Sequence, residues 1–183
     1  YMTITTFLSM GPQVVGMPVL ADENLSGMRS YGLLMSAQGL GAVFGSLLAA
    51  VATPSARLLG PIVMSLAIVR GMGTLLIAAI SSHLQGIVLM TDMGILMGYS
   101  SIIFITWVQK RVSLEYIGRV MSLVMLAVMG LQPLSQGFSG WFIDVAGVTT
   151  LFLSMGLFMI ITSLFALLSA DIRNMGEPRA DRQ

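Results

Sequence analysis

The stretch QGIVLMTDMGILMGYSSIIFITWVQ, residues 85–109, decides the class of this protein. Between its terminal glutamines a single charged side chain, Asp92, interrupts an otherwise apolar or weakly polar run. A helix rises ~1.5 Å per residue, so a run of this length crosses the ~30 Å hydrocarbon core of a bilayer. Its hydrophobic residues show no alternation with a period of two, unlike the ~10-residue segments of a membrane β-barrel. A helix that is apolar on all sides needs an apolar solvent.

Working outward, five further runs meet the same requirement: residues 1–20, 30–52, 60–80, 119–143 and 149–170. The polar breaks between them, 21–29, 53–59, 81–84, 110–118 and 144–148, are short. The expected fold is all-α, a polytopic membrane bundle of six transmembrane helices over residues 1–170, followed by a solvated tail, 171–183. Composition agrees: 56% of residues are hydrophobic, 9% are charged, and the mean hydropathy is +0.90. A soluble domain carries about 25% charged residues, because its surface must be wetted. The lipid bilayer is therefore the first partner. The chain starts at Tyr1 inside an apolar run, without the basic start or the small-residue cleavage site of a signal peptide. The expectation is a spanning helix whose upstream part is missing.

Charge and residue usage narrow the function. Nine Lys and Arg face eight Asp and Glu, with no basic patch suited to neutralising phosphates, so nucleic acid is not expected as a partner. Cysteine is absent and His83 is the single histidine, which leaves no thiol chemistry, no metal cluster and no expected cofactor. Orientation follows the distribution of basic residues among short loops. One side carries Arg29 alone beside Asp22, Glu23, His83 and Asp144. The other carries Arg57, Lys110, Arg111, Arg119, Arg173, Arg179 and Arg182, which makes it and the C-terminus cytoplasmic.

Two ionisable residues fall inside the expected spans, Arg70 in the third and Asp92 in the fourth. A charge at that depth costs at least ~2.5–3.5 kcal/mol, so it is paired or faces a polar cavity. The third and fourth spans join through residues 81–84 and must be antiparallel neighbours. The two charges then differ in depth by only ~3–5 Å, which an arginine can bridge. A structural ion pair and a coupling carboxylate at Asp92 are both open. Gln38 in the second span, and Gln132 and Gln136 four residues apart in the fifth with Ser135 beside them, serve either as interhelical bonds or as cavity lining. Gly41-x-x-x-Gly45 and Gly137-x-x-Gly140 mark expected packing seams. Pro133 predicts a kink or an unwound turn in the fifth span, as Pro12 and Pro18 do in the first. Sixteen methionines offer either an adaptable apolar surface or plain replacements for leucine. Gly137-Phe138-Ser139-Gly140 matches the string around the serine of rhomboid intramembrane proteases. Those enzymes need a histidine on a later helix, and His83 precedes the serine, so no enzyme activity is expected.

The stretch Gly118-Arg119-Val120-Met121-Ser122-Leu123, followed by Gly130-Leu131-Gln132-Pro133-Leu134, resembles the entry to the eleventh helix in the major facilitator superfamily. The likeness is to the branch that includes bacterial enterobactin exporters and macrolide efflux proteins. Tyr31-Gly32-Leu33-Leu34 with Gly39 to Gly45 is similar to that branch's eighth helix, and Gly11-Pro12-Gln13-Val14-Val15-Gly16-Met17-Pro18 to the end of its seventh. The likeness runs along nearly the whole chain in order. It implies the C-terminal half of a twelve-helix transporter in the bacterial inner membrane, built of two inverted three-helix repeats and partnered by a missing N-terminal half. It also implies proton-coupled export of a small molecule: a siderophore, a drug or a metabolite. Spans one, two, four and five would line the cavity, which places Gln38, Asp92, Tyr99, Gln132 and Gln136 on cavity-forming helices and Arg70 on a peripheral one. The family's acidic and Arg-rich loop after the eighth helix is reduced here to Arg57, while the loop with Lys110, Arg111, Glu115 and Arg119 keeps its charged character. The alternative is a self-contained six-helix protein that works as a homodimeric transporter or scaffold.

Overall fold

The computed structural model describes residues 2–25, 27–52, 59–113 and 115–168. Arg57 and the tail lie outside the described residues. Seven α-helices follow in order: α1 (Met2–Gly11), α2 (Met17–Asn24), α3 (Met28–Val51), α4 (Leu59–Ile77), α5 (His83–Arg111), α6 (Ile117–Ala146) and α7 (Val148–Leu168). A π-helical turn, Pro12–Gly16, joins α1 to α2, so those two form one span. Among the described residues there are six helical spans long and apolar enough to cross a bilayer, and no strand. The chain is a polytopic helical membrane protein.

Helices run past the apolar stretches at several ends. The first continues to Asn24 through Asp22 and Glu23, the fourth to Arg111, and the fifth to Ala146. Hydropathy measures the hydrocarbon core, whereas a helix persists into the headgroup layer, where charged side chains are wetted. The expected break at 144–148 shrinks to Gly147, whose φ of +83° reverses the chain in one residue. Ser82 caps α5 by accepting from the Gln85 amide at 3.3 Å, and Lys110 and Arg111 in its last turn oppose the helix dipole.

Hydroxyls inside the spans are mostly spent on their own helices. Ser46 donates to the Val43 carbonyl, Thr91 to Ile87, and Thr162 to Phe158, each at 2.7–2.8 Å. In lipid no water takes these protons, so the backbone does.

The spans associate in pairs: α3 along α5, α4 along α7, and α1 along α6. In span numbers these are two with four, three with six and one with five. Exchanging the first three spans with the last three turns two–four into five–one and leaves three–six unchanged. Because each set has an odd number of spans, the exchange also inverts direction across the membrane.

Each pair meets where side chains vanish. A Cβ added to Gly41 or Gly45 of α3 would lie 2.1 Å from the carbonyl oxygen of Thr91 or Ile95. Added to Gly94 or Gly98 of α5, it would lie 2.1 Å from the carbonyl oxygen of Gln38 or Ala42. The two glycine pairs therefore interlock. Gly71 meets Gly156 and Ile160 in the α4–α7 pair, and Gly11 meets Ser135 and Ser139 in the α1–α6 pair. Lipid tails are as apolar as leucine, so helices adhere by close dispersion contact rather than by hydrophobic expulsion.

Two expectations are corrected. Gly137 and Gly140 form no seam among the described residues, since nothing lies within 4 Å of a Cβ on either. The face of α6 that meets α1 carries Ser135 and Ser139, and the two glycines lie off it. Nor does Pro133 unwind its helix. It is exposed and α6 continues through it, without the bond that an N–H at this position would give the Met129 carbonyl. Pro12 and Pro18 do alter the first span. Neither can donate to the carbonyl four residues back, and the π turn between them shifts the register, with the Met17 amide bonding the Pro12 carbonyl.

The core concentrates where α2 meets α3, α4 meets α5 and α6 meets α7, around Met17, Leu20, Leu34, Ile77, Met90 and Phe152, all fully buried. Burial fades along α6 away from that end: none of residues 117–134 is buried, and Ser135 is the first that is.

Candidate functional site

Asp92 lies about nine residues into α5, ~14 Å from its start and ~7 Å short of the helix midpoint. Gly94 and Gly98 define the side of α5 that meets α3, and Met93, whose methyl group fills the space beside Gly73, defines the side that meets α4. At ~100° per residue, Asp92 points well away from the α3 contact and stands about a quarter-turn from the α4 contact. It is exposed. Tyr99, seven residues on, shares that face to within about 20°. The Tyr99 hydroxyl donates to the Ala52 carbonyl at the end of α3 across 3.1 Å.

The amides are half-buried. Gln38 sits on α3 with its carbonyl against Gly94, and Gln132 and Gln136 flank Ser135 on α6. Among the described residues, the side chains of Gln38, Asp92, Gln132 and Gln136 make no hydrogen bond or ion pair. The amides are therefore not interhelical glue within this chain, and their polar ends stay open to water or a solute. Arg70 is half-buried on α4. The expected Arg70–Asp92 ion pair is not among the contacts of Asp92, which lies about 100° round α5 from the Met93 side that meets α4.

The interhelical hydrogen bonding that does occur involves a residue the sequence barely marks. Ser135, buried, accepts from the Gly11 amide at 2.8 Å and donates to the Phe7 carbonyl. Ser139 abuts Gly11, while His83 pairs with Ser30 across 2.9 Å at the start of α5. The serine and histidine that hydrolysis would need are thus engaged separately. Methionine gathers on no single surface: Met17, Met64, Met90, Met93, Met155 and Met159 are buried, and Met72, Met97, Met125 and Met129 are exposed.

Two more features complete the surface. An apolar crevice of about 460 Å³ between α1, α6 and α7 is lined by Phe7, Phe138, Phe142 and Phe158, offering shape and dispersion contact but no charge. At the α5–α6 connection the Arg111 guanidinium lies 5.1 Å over the Trp107 ring and that of Arg119 5.8 Å over Tyr116, with Lys110 and Glu115 exposed beside them.

The molecule is thus a multi-pass membrane protein with a carboxylate, Asp92, exposed within its fourth span and without an ion pair among the described residues. No protein-family model, curated protein or solved structure matches the chain.

Proposed function

We propose that this chain is one six-helix half of a secondary active transporter of the major facilitator type, and that Asp92 couples movement of a small molecule to protons. The exposed position of Asp92 carries the reading. A carboxylate at that depth cannot face hydrocarbon without a penalty of several kcal/mol, so its face of α5 turns toward water or another protein wall. A substrate cavity between two halves supplies both. The open amides Gln38, Gln132 and Gln136, with Tyr99 beside Asp92, give such a cavity hydrogen-bonding capacity without fixed charge. The symmetric pairing of spans supports the same reading, because inverted repeats are how such transporters alternate access. The bilayer is then a bacterial inner membrane, with the α3–α4 and α5–α6 connections and the C-terminus in the cytoplasm.

Asp92→Asn tests the role. It keeps the size and much of the hydrogen bonding of the side chain but cannot titrate. The variant is expected to reach the membrane, to lose uphill efflux of a fluorescent dye driven by a pH gradient, and to keep downhill exchange of that dye. Uphill pumping at the unmodified rate would remove Asp92 from coupling.

A further inference from the structure

Building on the transporter reading above, we propose that Gln13, in the π turn of the first span, is a hydrogen-bonding contact for the transported molecule, and that this molecule carries O–H or N–H donors. Gln13 stands midway between Met2 and Asn24, deep within the span. Its neighbours in the turn fix its direction. Gly11 meets Ser135 and Ser139 of α6, and Gly16 meets Phe152 of α7. At ~100° per residue, slightly less in a π turn, Gln13 lies roughly opposite Gly11 and about a third of a turn from Gly16. It therefore faces neither α6 nor α7. The side chain is half-buried, and among the described residues it makes no hydrogen bond.

The backbone is open at the same residue. In an α-helix the Gln13 carbonyl would accept from the Met17 amide, but that amide is given to the Pro12 carbonyl. In the π register its donor would be Pro18, which has no N–H. A carbonyl and a carboxamide left open at this depth are costly against hydrocarbon, and irregular backbone is tolerated there only in protein or beside water. A transport cavity supplies the water. Asn24 at the end of α2 bonds the Ile80 carbonyl just before α5, so depths counted from that end compare directly. Gln13 then lies ~16 Å in and Asp92 ~14 Å, at nearly one level. A carbonyl and an ionised carboxylate only accept, while a carboxamide accepts and donates in balance. Acceptors are in excess at this level, so the solute that satisfies them brings donors.

Ser9, half-buried and one turn before Gln13, is the natural reporter position. Its hydroxyl bonds only the Thr5 and Thr6 carbonyls of its own helix, so Ser9→Cys is a small change that places a single thiol beside an intact Gln13. Labelling in membranes would compare hydroxyethyl methanethiosulfonate, which has an O–H donor, with the propyl reagent, in which a methyl group replaces the hydroxyl. Each rate is divided by the rate with free cysteine. Leu157→Cys, exposed on α7, is the lipid-facing control. At Ser9→Cys the hydroxyethyl reagent is expected to react roughly fivefold faster than the propyl one, the worth of about one hydrogen bond. At Leu157→Cys the order should reverse. Gln13→Leu should remove most of the preference at Ser9→Cys, whereas Gln13→Asn, which keeps a carboxamide, should retain it. Faster reaction of the propyl reagent at Ser9→Cys, a preference that Gln13→Leu leaves intact, or the same preference at Leu157→Cys would each overturn the proposal. The labelling needs no proton gradient, so a failure here and a failure of coupling at Asp92 are read separately.

Discussion

Gly11 of α1 donates its amide hydrogen to the hydroxyl of Ser135 on α6 across 2.8 Å, and that hydroxyl donates in turn to the carbonyl of Phe7. Residues seven and eleven are hydrogen-bonding partners in an α-helix. A side chain from another span thus bridges one rung of the first helix, immediately before the π turn at Pro12.

Ser135→Ala removes the bridge and leaves two buried backbone groups with one partner fewer. A loss of about 1–3 kcal/mol is expected, read from unfolding in detergent micelles. Gly11→Ala should cost more, because its Cβ would lie 2.1 Å from the Ser139 hydroxyl and 2.4 Å from the Ser135 carbonyl oxygen. If Ser135→Ala unfolds at the same temperature as the parent, the bridge contributes nothing.

The interlocked glycines of α3 and α5 give a contrast within one helix. Gly94→Ala and Gly41→Ala each drive a methyl group into a backbone oxygen, so about 1–3 kcal/mol of destabilisation is expected for each. Gly39→Ala, with nothing within 4 Å, should be neutral or slightly stabilising, since alanine favours a helix by up to ~1 kcal/mol over glycine. Equal melting temperatures for Gly39→Ala and Gly41→Ala would contradict the seam.

For Arg70 and Asp92 the expectation is additivity. Asp92 makes no ion pair among the described residues, so the stability losses of Arg70→Ala and Asp92→Ala should sum in the double variant to within about 0.5 kcal/mol. Partial recovery in the double variant would reveal an ion pair after all.

Ser82 precedes α5 and Ser113 follows it, and both are exposed. With no native cysteine to interfere, single cysteines there should react with an impermeant thiol reagent from opposite sides of the membrane. Labelling of both from one side would mean that α5 does not span.

The six spans were legible in the residues because the solvent selects them: a run such as 85–109 has no place in water. Asp92 was legible for the same reason, as a charge where charges are costly. Apart from the third and fourth spans, which their short connection makes neighbours, which span lies against which was not. Lipid-facing and helix-facing surfaces are equally apolar, so hydropathy carries no address for a partner. Gly94-x-x-x-Gly98 has the spacing of Gly41-x-x-x-Gly45 and offered a signal of its own. Gly137 and Gly140 offered a similar one and meet nothing among the described residues. Ser135 was marked only as a neighbour of Gln132 and Gln136, because a serine that bridges helices reads like Ser122 or Ser154, whose hydroxyls return to their own helices.

The burial of α6 is confined to its second half, and this has a mechanical meaning. Ser135 is a fulcrum, and the helix from there back to Ile117 is an arm ~27 Å long. A tilt of about 5° at the fulcrum sweeps the far end through about 2 Å, given that arm. A shift of one hydroxyl against α1 would thus be magnified at Arg119, where the arm emerges from the membrane.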